Sequence, residues 1–156
     1  MLDRFLSLLK EGMGERLIGI LLYGSLARDQ VKPDSDIDLL VVGKGDKEDV
    51  EDGYRRARDA PEETPEYEAL VEQAIWPSIS PFIVSDEYLR QNTPWLVLEI
   101  QDQGLVLHEL EGFLAWKIKR VHERMHELGT RKVMLPEGSW YWDVKPDWKL
   151  GEVFEL

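Results

Sequence analysis

Residues 21–42, with the sequence LLYGSLARDQVKPDSDIDLLVV, constrain the fold more than any other part of the chain. A first apolar run ends at Gly24-Ser25, and ten residues later Asp36-Ile37-Asp38 opens a second apolar run. Apolar runs of this length, interrupted by glycine, predict two buried strands with a tight turn after the first. Because side chains alternate along a strand, we expect Asp36 and Asp38 to point to the same face.

The two carboxylates are suited to binding a divalent cation. Residues two apart on a strand lie roughly 6.6 Å apart along it, so Asp36 and Asp38 are close enough to share one metal ion. The turn at Gly24-Ser25 offers free backbone N–H groups of the kind that bind phosphate. Together these features predict Mg²⁺-dependent nucleotidyl transfer. The competing interpretations are an ordinary tight turn and two surface charges on an edge strand.

The motifs GSLAR (residues 24–28) and SDIDL (residues 35–39) resemble those of the DNA polymerase beta-like nucleotidyltransferases. The closest resemblance is to their small prokaryotic branch, the minimal nucleotidyltransferases (MNT). It is strong over residues 16–42 and extends to about residue 110. The resemblance implies an α/β (α+β) fold, in which helices flank a small mixed sheet, and the transfer of AMP from ATP to an acceptor hydroxyl.

The resemblance also implies roles for individual residues. Asp36 and Asp38 would be the catalytic carboxylates and the ligands of Mg²⁺ or Mn²⁺. The residues expected to bind the nucleotide, through phosphate contacts or by offsetting triphosphate charge, are Gly24, Ser25, Arg28 and Lys32.

Two departures from the family pattern stand out. Asp29 occupies a position where the family commonly has glycine, so we expect a different turn there. The family generally supplies a third carboxylate from a later strand, but the candidate strand at residues 78–84 (SISPFIV) has no acid. Ser78 or Ser80 occupies the expected place, and Asp86-Glu87, just after this strand, is the weaker candidate for a substitute.

The identity of the acceptor is open at this stage. In MNT relatives it is often a HEPN-family RNase toxin, which is silenced by the addition of AMP, so the expected partners are a nucleoside triphosphate and a HEPN-type protein. One alternative is a non-catalytic nucleotide-binding or antitoxin-like module that acts by docking, as the missing third acid would suggest. Another is a small-molecule nucleotidyltransferase, although the C-terminal part of the chain, residues 111–156, is short for an acceptor pocket.

Composition narrows the remaining possibilities. The whole net charge of −12 falls within residues 1–110, so we expect this part to repel nucleic acid. The chain has no cysteine, and no apolar run approaches the roughly 20 residues of a membrane span. The amphipathic N-terminus is unlike a signal peptide, and we expect a cytoplasmic protein.

The apolar patterns predict a nucleotidyltransferase-like domain at residues 1–110, followed at residues 111–156 by a helix and a tryptophan-rich tail. We expect this tail to pack on the domain, on a partner or on a second copy of the chain. The predicted helices are 2–13, 47–60, 66–76, 94–103 and 112–128, and the predicted strands are 16–23, 35–42, 78–84 and 105–108, with a hairpin around Glu137-Gly138.

Overall fold

A computed structural model describes all residues from Met1 to Leu156 and contains one four-stranded mixed sheet. The strands lie in the order β3-β2-β1-β4; β1 is antiparallel to β2 and β4, and β2 is parallel to β3. This architecture confirms the predicted small mixed sheet flanked by helices. The strands are β1 (Leu17–Tyr23), β2 (Ile37–Gly43), β3 (Ile79–Ser85) and β4 (Leu105–Glu109).

Seven α-helices accompany the sheet, and all but one of the predicted helices correspond to an observed helix within about three residues at each end. Two short 3₁₀ turns occupy Gly14–Arg16 and Ala60–Glu63. None of the helices combines the length and apolar character needed to cross a bilayer. The helices are α1 (Leu2–Met13), α2 (Gly24–Ala27), α3 (Lys47–Ala57), α4 (Pro65–Val71), α5 (Asp86–Gln91), α6 (Leu96–Gln103) and α7 (Phe113–Leu128).

The sheet separates two apolar clusters because successive strand residues face opposite sides. On one side, Leu39 and Val41 of β2 pack with α1 and α3. On the other side, Leu40 and Val42 of β2 pack with α6 and α7. The α1 residues buried in the first cluster recur every fourth position, which is the period of a helix face: Phe5, Leu9 and Met13.

The prediction of a helix over residues 66–76 was wrong at its C-terminal end. Helix α4 stops at Val71, and Ala74 has a φ of 59° in the left-handed region. The Ile75 N–H donates to the Leu70 carbonyl, and the Ala74 N–H donates to the Val71 carbonyl. This bonding pattern is a Schellman helix end, which usually has glycine at the left-handed position. Alanine gave no sign of it in the sequence.

The C-terminal region begins with α7 and continues into a two-stranded hairpin, β5 (Arg131–Met134) and β6 (Trp140–Asp143). Phe113 and Val121 of α7 belong to the same apolar cluster as β1 and β2. Trp142 of the hairpin packs against that cluster, whereas Trp148 is 48% exposed. The division of the chain at residue 110 stays a prediction.

Candidate functional site

Asp36 and Asp38 lie at the start of β2, at one end of the sheet. Asp36 directly precedes the strand, and Asp38 is its second residue. Asp38 is in register with Tyr23 on β1 and with Ser80 on β3, so the acid pair lies among the ends of three strands. Asp38 is partly buried, while Asp36 is exposed.

The electrostatics of this end of the sheet show an excess of negative charge. Burial and then the charge of Asp36 raise the pKa of Asp38, and Arg28 opposes the shift. Burial followed by the charges of Asp38 and Glu99 raises the pKa of Tyr23 to about 12. Since the carboxylates outnumber the nearby cations, a bound divalent cation would relieve the repulsion between them.

Gly24 brings the turn into contact with the acid pair. Its φ is 72°, and a Cβ atom added there would overlap the Asp38 carboxylate, lying 2.9 Å from Asp38 Cγ. Glycine therefore allows the backbone at the start of α2 to lie directly against Asp38. No side chain caps α2, so its first N–H groups lack both an intrahelical and a side-chain acceptor.

The turn that ends α2 contains Asp29, where the resemblance led us to expect a different geometry. Asp29 has a φ of 55°, and the Gln30 N–H donates to the Ser25 carbonyl at 2.9 Å. This is the left-handed backbone that glycine favours and that aspartate tolerates better than most residues. The turn is thus of the kind that glycine would form, although the residue differs.

The two predicted cations are placed differently. Arg28 Nη1 lies 3.8 Å from Glu99 Oε2 on α6, and both side chains are largely buried. Lys32 has no acidic group within ion-pair distance, and its backbone N–H donates to Ser35 Oγ at 2.9 Å. Lys32 therefore has the freer side chain for a ligand phosphate, while Arg28 would have to exchange Glu99 for it.

No third carboxylate joins the pair, and no cluster of three or more acidic, histidine or cysteine side chains suited to a metal ion occurs in the structure. Ser78 Oγ donates a hydrogen bond to Asp36 Oδ1, and Ser80 is in register with Asp38. The weaker candidate pair Asp86-Glu87 begins α5, after the opposite end of β3. Seven strand positions, or about 23 Å, separate Ser78 from Ser85, so Asp86-Glu87 does not substitute for the missing acid.

A cavity of about 390 Å³ adjoins Asp36. Leu26, Ile75 and Pro77 contribute to its mostly apolar lining, and Lys32 contributes a cation. Its volume falls within the range of small-molecule sites. A larger cavity of about 470 Å³ runs along β3 but contains none of the predicted site residues. The cavity beside the carboxylates is the better candidate for a substrate site because Asp36 and Lys32 contribute to its lining.

Sequence reasoning missed Tyr23 and Glu99 as members of this site. Tyr23 directly precedes Gly24, so its position at the strand end was a usable signal. Glu99 reaches Arg28 only because α6 packs against the sheet, and nothing in its local sequence indicates that contact.

Comparison with known families gives one match, to the nucleotidyltransferase domain over residues 2–91. Comparison with curated proteins gives no match.

Thirteen chains of solved structures match this chain, among them the following three. A toxin-antitoxin with AMP-PNP is 17% identical, covers 81% of this chain and 91% of its own, and has a TM-score of 0.46. The tri-AMPylated HEPN toxin from Shewanella oneidensis in complex with MNT antitoxin is 19% identical, and the match covers 81% of this chain and 88% of that chain with a TM-score of 0.42. Spectinomycin adenyltransferase from Enterococcus faecialis with ATP and spectinomycin is 15% identical, and the match covers 81% of this chain and 65% of that chain with a TM-score of 0.41. All three TM-scores lie below 0.5.

Proposed function

The chain belongs to the nucleotidyltransferase domain family, and from this premise we propose that it transfers AMP from ATP to an acceptor hydroxyl with the help of Mg²⁺ or Mn²⁺. The observation that carries the proposal is the direct contact between the Gly24 turn and the Asp38 carboxylate. A phosphate-binding turn and a carboxylate that can bind a cation are both needed at one triphosphate. Here they lie against each other.

The residues present fit a divalent cation. Mg²⁺ is usually bound by one or two carboxylates together with substrate phosphates and water, so Asp36 and Asp38 suffice as its protein ligands. Burial and then the charge of Asp36 raise the pKa of Asp38, so a bound cation would favour its ionised form. When bound, the cation would polarise the reacting phosphate and neutralise the charge of the pyrophosphate leaving group.

The chain's own groups have separate roles in this proposal. The first N–H groups of α2 and the Ser25 hydroxyl bind phosphate oxygens. Lys32 offsets triphosphate charge, and Arg28 does so after exchanging Glu99 for phosphate. The apolar cavity beside Asp36 encloses the remaining part of the substrate and excludes water from it.

A second candidate function is supported by the serines on β3. Ser78 and Ser80 occupy the expected place of the third acid, and a neutral hydroxyl is a poor general base. The chain would then bind a metal-nucleotide and inhibit a partner by docking, without transferring a nucleotide. If transfer does occur, the proton that the acceptor hydroxyl loses has to pass to solvent or to another group of the acceptor molecule.

For the acceptor, we propose a HEPN-type protein that supplies its own hydroxyl. The support is the resemblance of GSLAR and SDIDL to the motifs of the MNT branch. A small-molecule acceptor, such as an aminoglycoside, remains the alternative that the experiment below has to test separately.

The decisive assay uses ATP labelled on the α-phosphate, with Mg²⁺ and three acceptors in parallel: none, the product of the neighbouring gene, and an aminoglycoside. We expect the label to enter the neighbouring protein and to be absent when Asp36→Asn replaces the wild type. A stable complex without any label would favour the docking function. Label on the aminoglycoside alone would contradict the proposed protein acceptor.

A further inference from the structure

A second group of like charges lies where α5, α7 and the last residues of the tail meet. These elements surround a cavity of about 240 Å³ that shares no lining residue with the acid pair or its adjoining cavity. Four cationic residues contribute to its lining: Arg90, Lys117, Arg120 and Arg124. We call this feature the basic cavity. It is unexpected in a chain with a net charge of −12.

Lys117 is the most deeply placed of these cations, with 8% exposure. Its Nζ donates to the Asn92 carbonyl at 2.8 Å and to Thr93 Oγ1 at 3.0 Å. An ammonium group has three donors, so one remains, and no carboxylate lies within ion-pair distance of it. Burial, followed by the charge of Arg120, lowers the pKa of Lys117. A buried cation without an anion is costly, and a bound anion would reduce that cost.

The guanidinium groups of Arg90 and Arg120 are held over aromatic rings. Each lies 5.7 Å from the centre of the Trp116 ring, and Arg90 is also 4.7 Å from the centre of the Phe113 ring. Such stacking restrains a guanidinium and leaves its N–H groups available for an oxyanion. The cavity therefore has preoriented donors as well as positive charge.

Only part of this positive charge is compensated. Arg90 pairs with Asp86 at 3.6 Å, and Arg124 pairs with Glu127 at 2.9 Å. Arg120 and Lys117 have no side-chain carboxylate within ion-pair distance. Leu156 also lines the cavity, and its oxygen accepts a hydrogen bond from Thr93 Oγ1 at 2.8 Å. Glu155 contributes to the lining but forms no ion pair, and its backbone carbonyl accepts a hydrogen bond from Arg124 Nε at 2.8 Å. Lys117 and Arg120 thus face one small volume without an ion-pair partner.

We infer that the basic cavity binds the phosphoryl group of a small soluble molecule, as a phosphomonoester or inorganic phosphate. Its volume of about 240 Å³ suits a small ligand. Two cations without an ion-pair partner, Lys117 and Arg120, match the charge of a phosphate dianion better than that of a single carboxylate. Guanidinium forks also match phosphate oxygens in pairs. This site is independent of the proposed nucleotide transfer.

The test compares two substitutions on the same helix. Arg120→Gln removes a cation from the cavity, and Lys119→Gln removes an equal charge from outside it, since Lys119 is exposed and pairs with Glu123. Binding of inorganic phosphate and of glycerol 3-phosphate is measured by calorimetry and by thermal melting, with chloride at matched ionic strength as the reference. The Asp38→Asn variant is included to remove any contribution of the acid pair.

We expect phosphate, glycerol 3-phosphate or both to bind the wild type, Lys119→Gln and Asp38→Asn similarly, and Arg120→Gln at least about tenfold more weakly. Binding of inorganic phosphate indicates the free ion as ligand, and binding of glycerol 3-phosphate alone indicates a phosphomonoester. Equal losses in Arg120→Gln and Lys119→Gln, stabilisation by chloride equal to that by phosphate, or no binding of either ligand would overturn the inference. Loss of all binding in Asp38→Asn would place the phosphate at the acid pair and overturn it as well.

Discussion

The acid pair and the basic cavity each bring like charges together, negative charges in the first and positive charges in the second. Asp36 and Asp38 lie together while Arg28 is engaged with Glu99. Lys117 and Arg120 face one volume without a carboxylate partner. The acid pair comes from three consecutive residues, whereas the basic cavity is assembled from separate elements. Their difference shows that a contiguous motif can reveal one proposed ligand site, whereas only tertiary packing reveals the other.

The largest effect is expected at the acid pair. Asp38→Asn should reduce nucleotide transfer by at least about a hundredfold, because metal-ion catalysis contributes several kcal/mol of charge stabilisation. The measurement is the initial rate of label transfer from ATP. Asp86→Asn is the matched control, since it removes a carboxylate at the opposite end of β3. Equal rates for wild type and Asp38→Asn would separate the acid pair from the chemistry.

The second effect concerns the turn that contacts the acid pair. Ser25→Ala should weaken ATP binding by about 1–3 kcal/mol, the range for a hydrogen bond to a charged group. Titration calorimetry with ATP and Mg²⁺ provides the measurement. Ser139→Ala, at the remote hairpin, should bind ATP like the wild type. An unchanged affinity in Ser25→Ala would remove Ser25 from the nucleotide site.

The third effect tests the missing acid directly. Ser80→Asp should increase the transfer rate by about tenfold or more, because a well-placed general base typically contributes 10²–10⁴-fold. Ser85→Asp on the same strand is the control: Ser85 is the N-cap of α5, where aspartate is equally suitable. No gain in Ser80→Asp, together with intact ATP binding, would support the docking function.

The smallest effect is on stability without metal. The raised pKa of Asp38 means that its charged form is disfavoured in the folded state. The contribution of Asp38 to the free energy of unfolding is therefore most favourable below the pKa that Asp38 has in the unfolded state. It is lost as the pH rises through the pKa that Asp38 has in the folded state. At neutral pH in chelating buffer, Asp38→Asn should melt at the same temperature as the wild type or up to about 4 °C higher. A clear decrease would identify Asp38 as a structural residue.

The local sequence was sufficient to predict the strands of the sheet but not to predict several tertiary contacts. The apolar runs at β1 and β2 identified both strands because nearly every residue in them is buried. The end of α4 was missed because Ala74 takes the left-handed conformation without a glycine signal. The sequence shows Lys117, Lys119 and Arg120 close together, but only the packing of α7 separates exposed Lys119 from the basic cavity and adds Arg90.

The most direct test of the account is whether a divalent cation binds at the acid pair together with nucleotide. Mn²⁺ broadens the NMR signals of nearby amides, so it can be titrated into the protein in the presence of a non-hydrolysable ATP analogue. We predict that the amides of Gly24, Asp36 and Asp38 broaden first, and that Asp38→Asn removes this broadening. Broadening that begins elsewhere, or that is the same in Asp38→Asn, would contradict the assignment of the acid pair as the metal-nucleotide site.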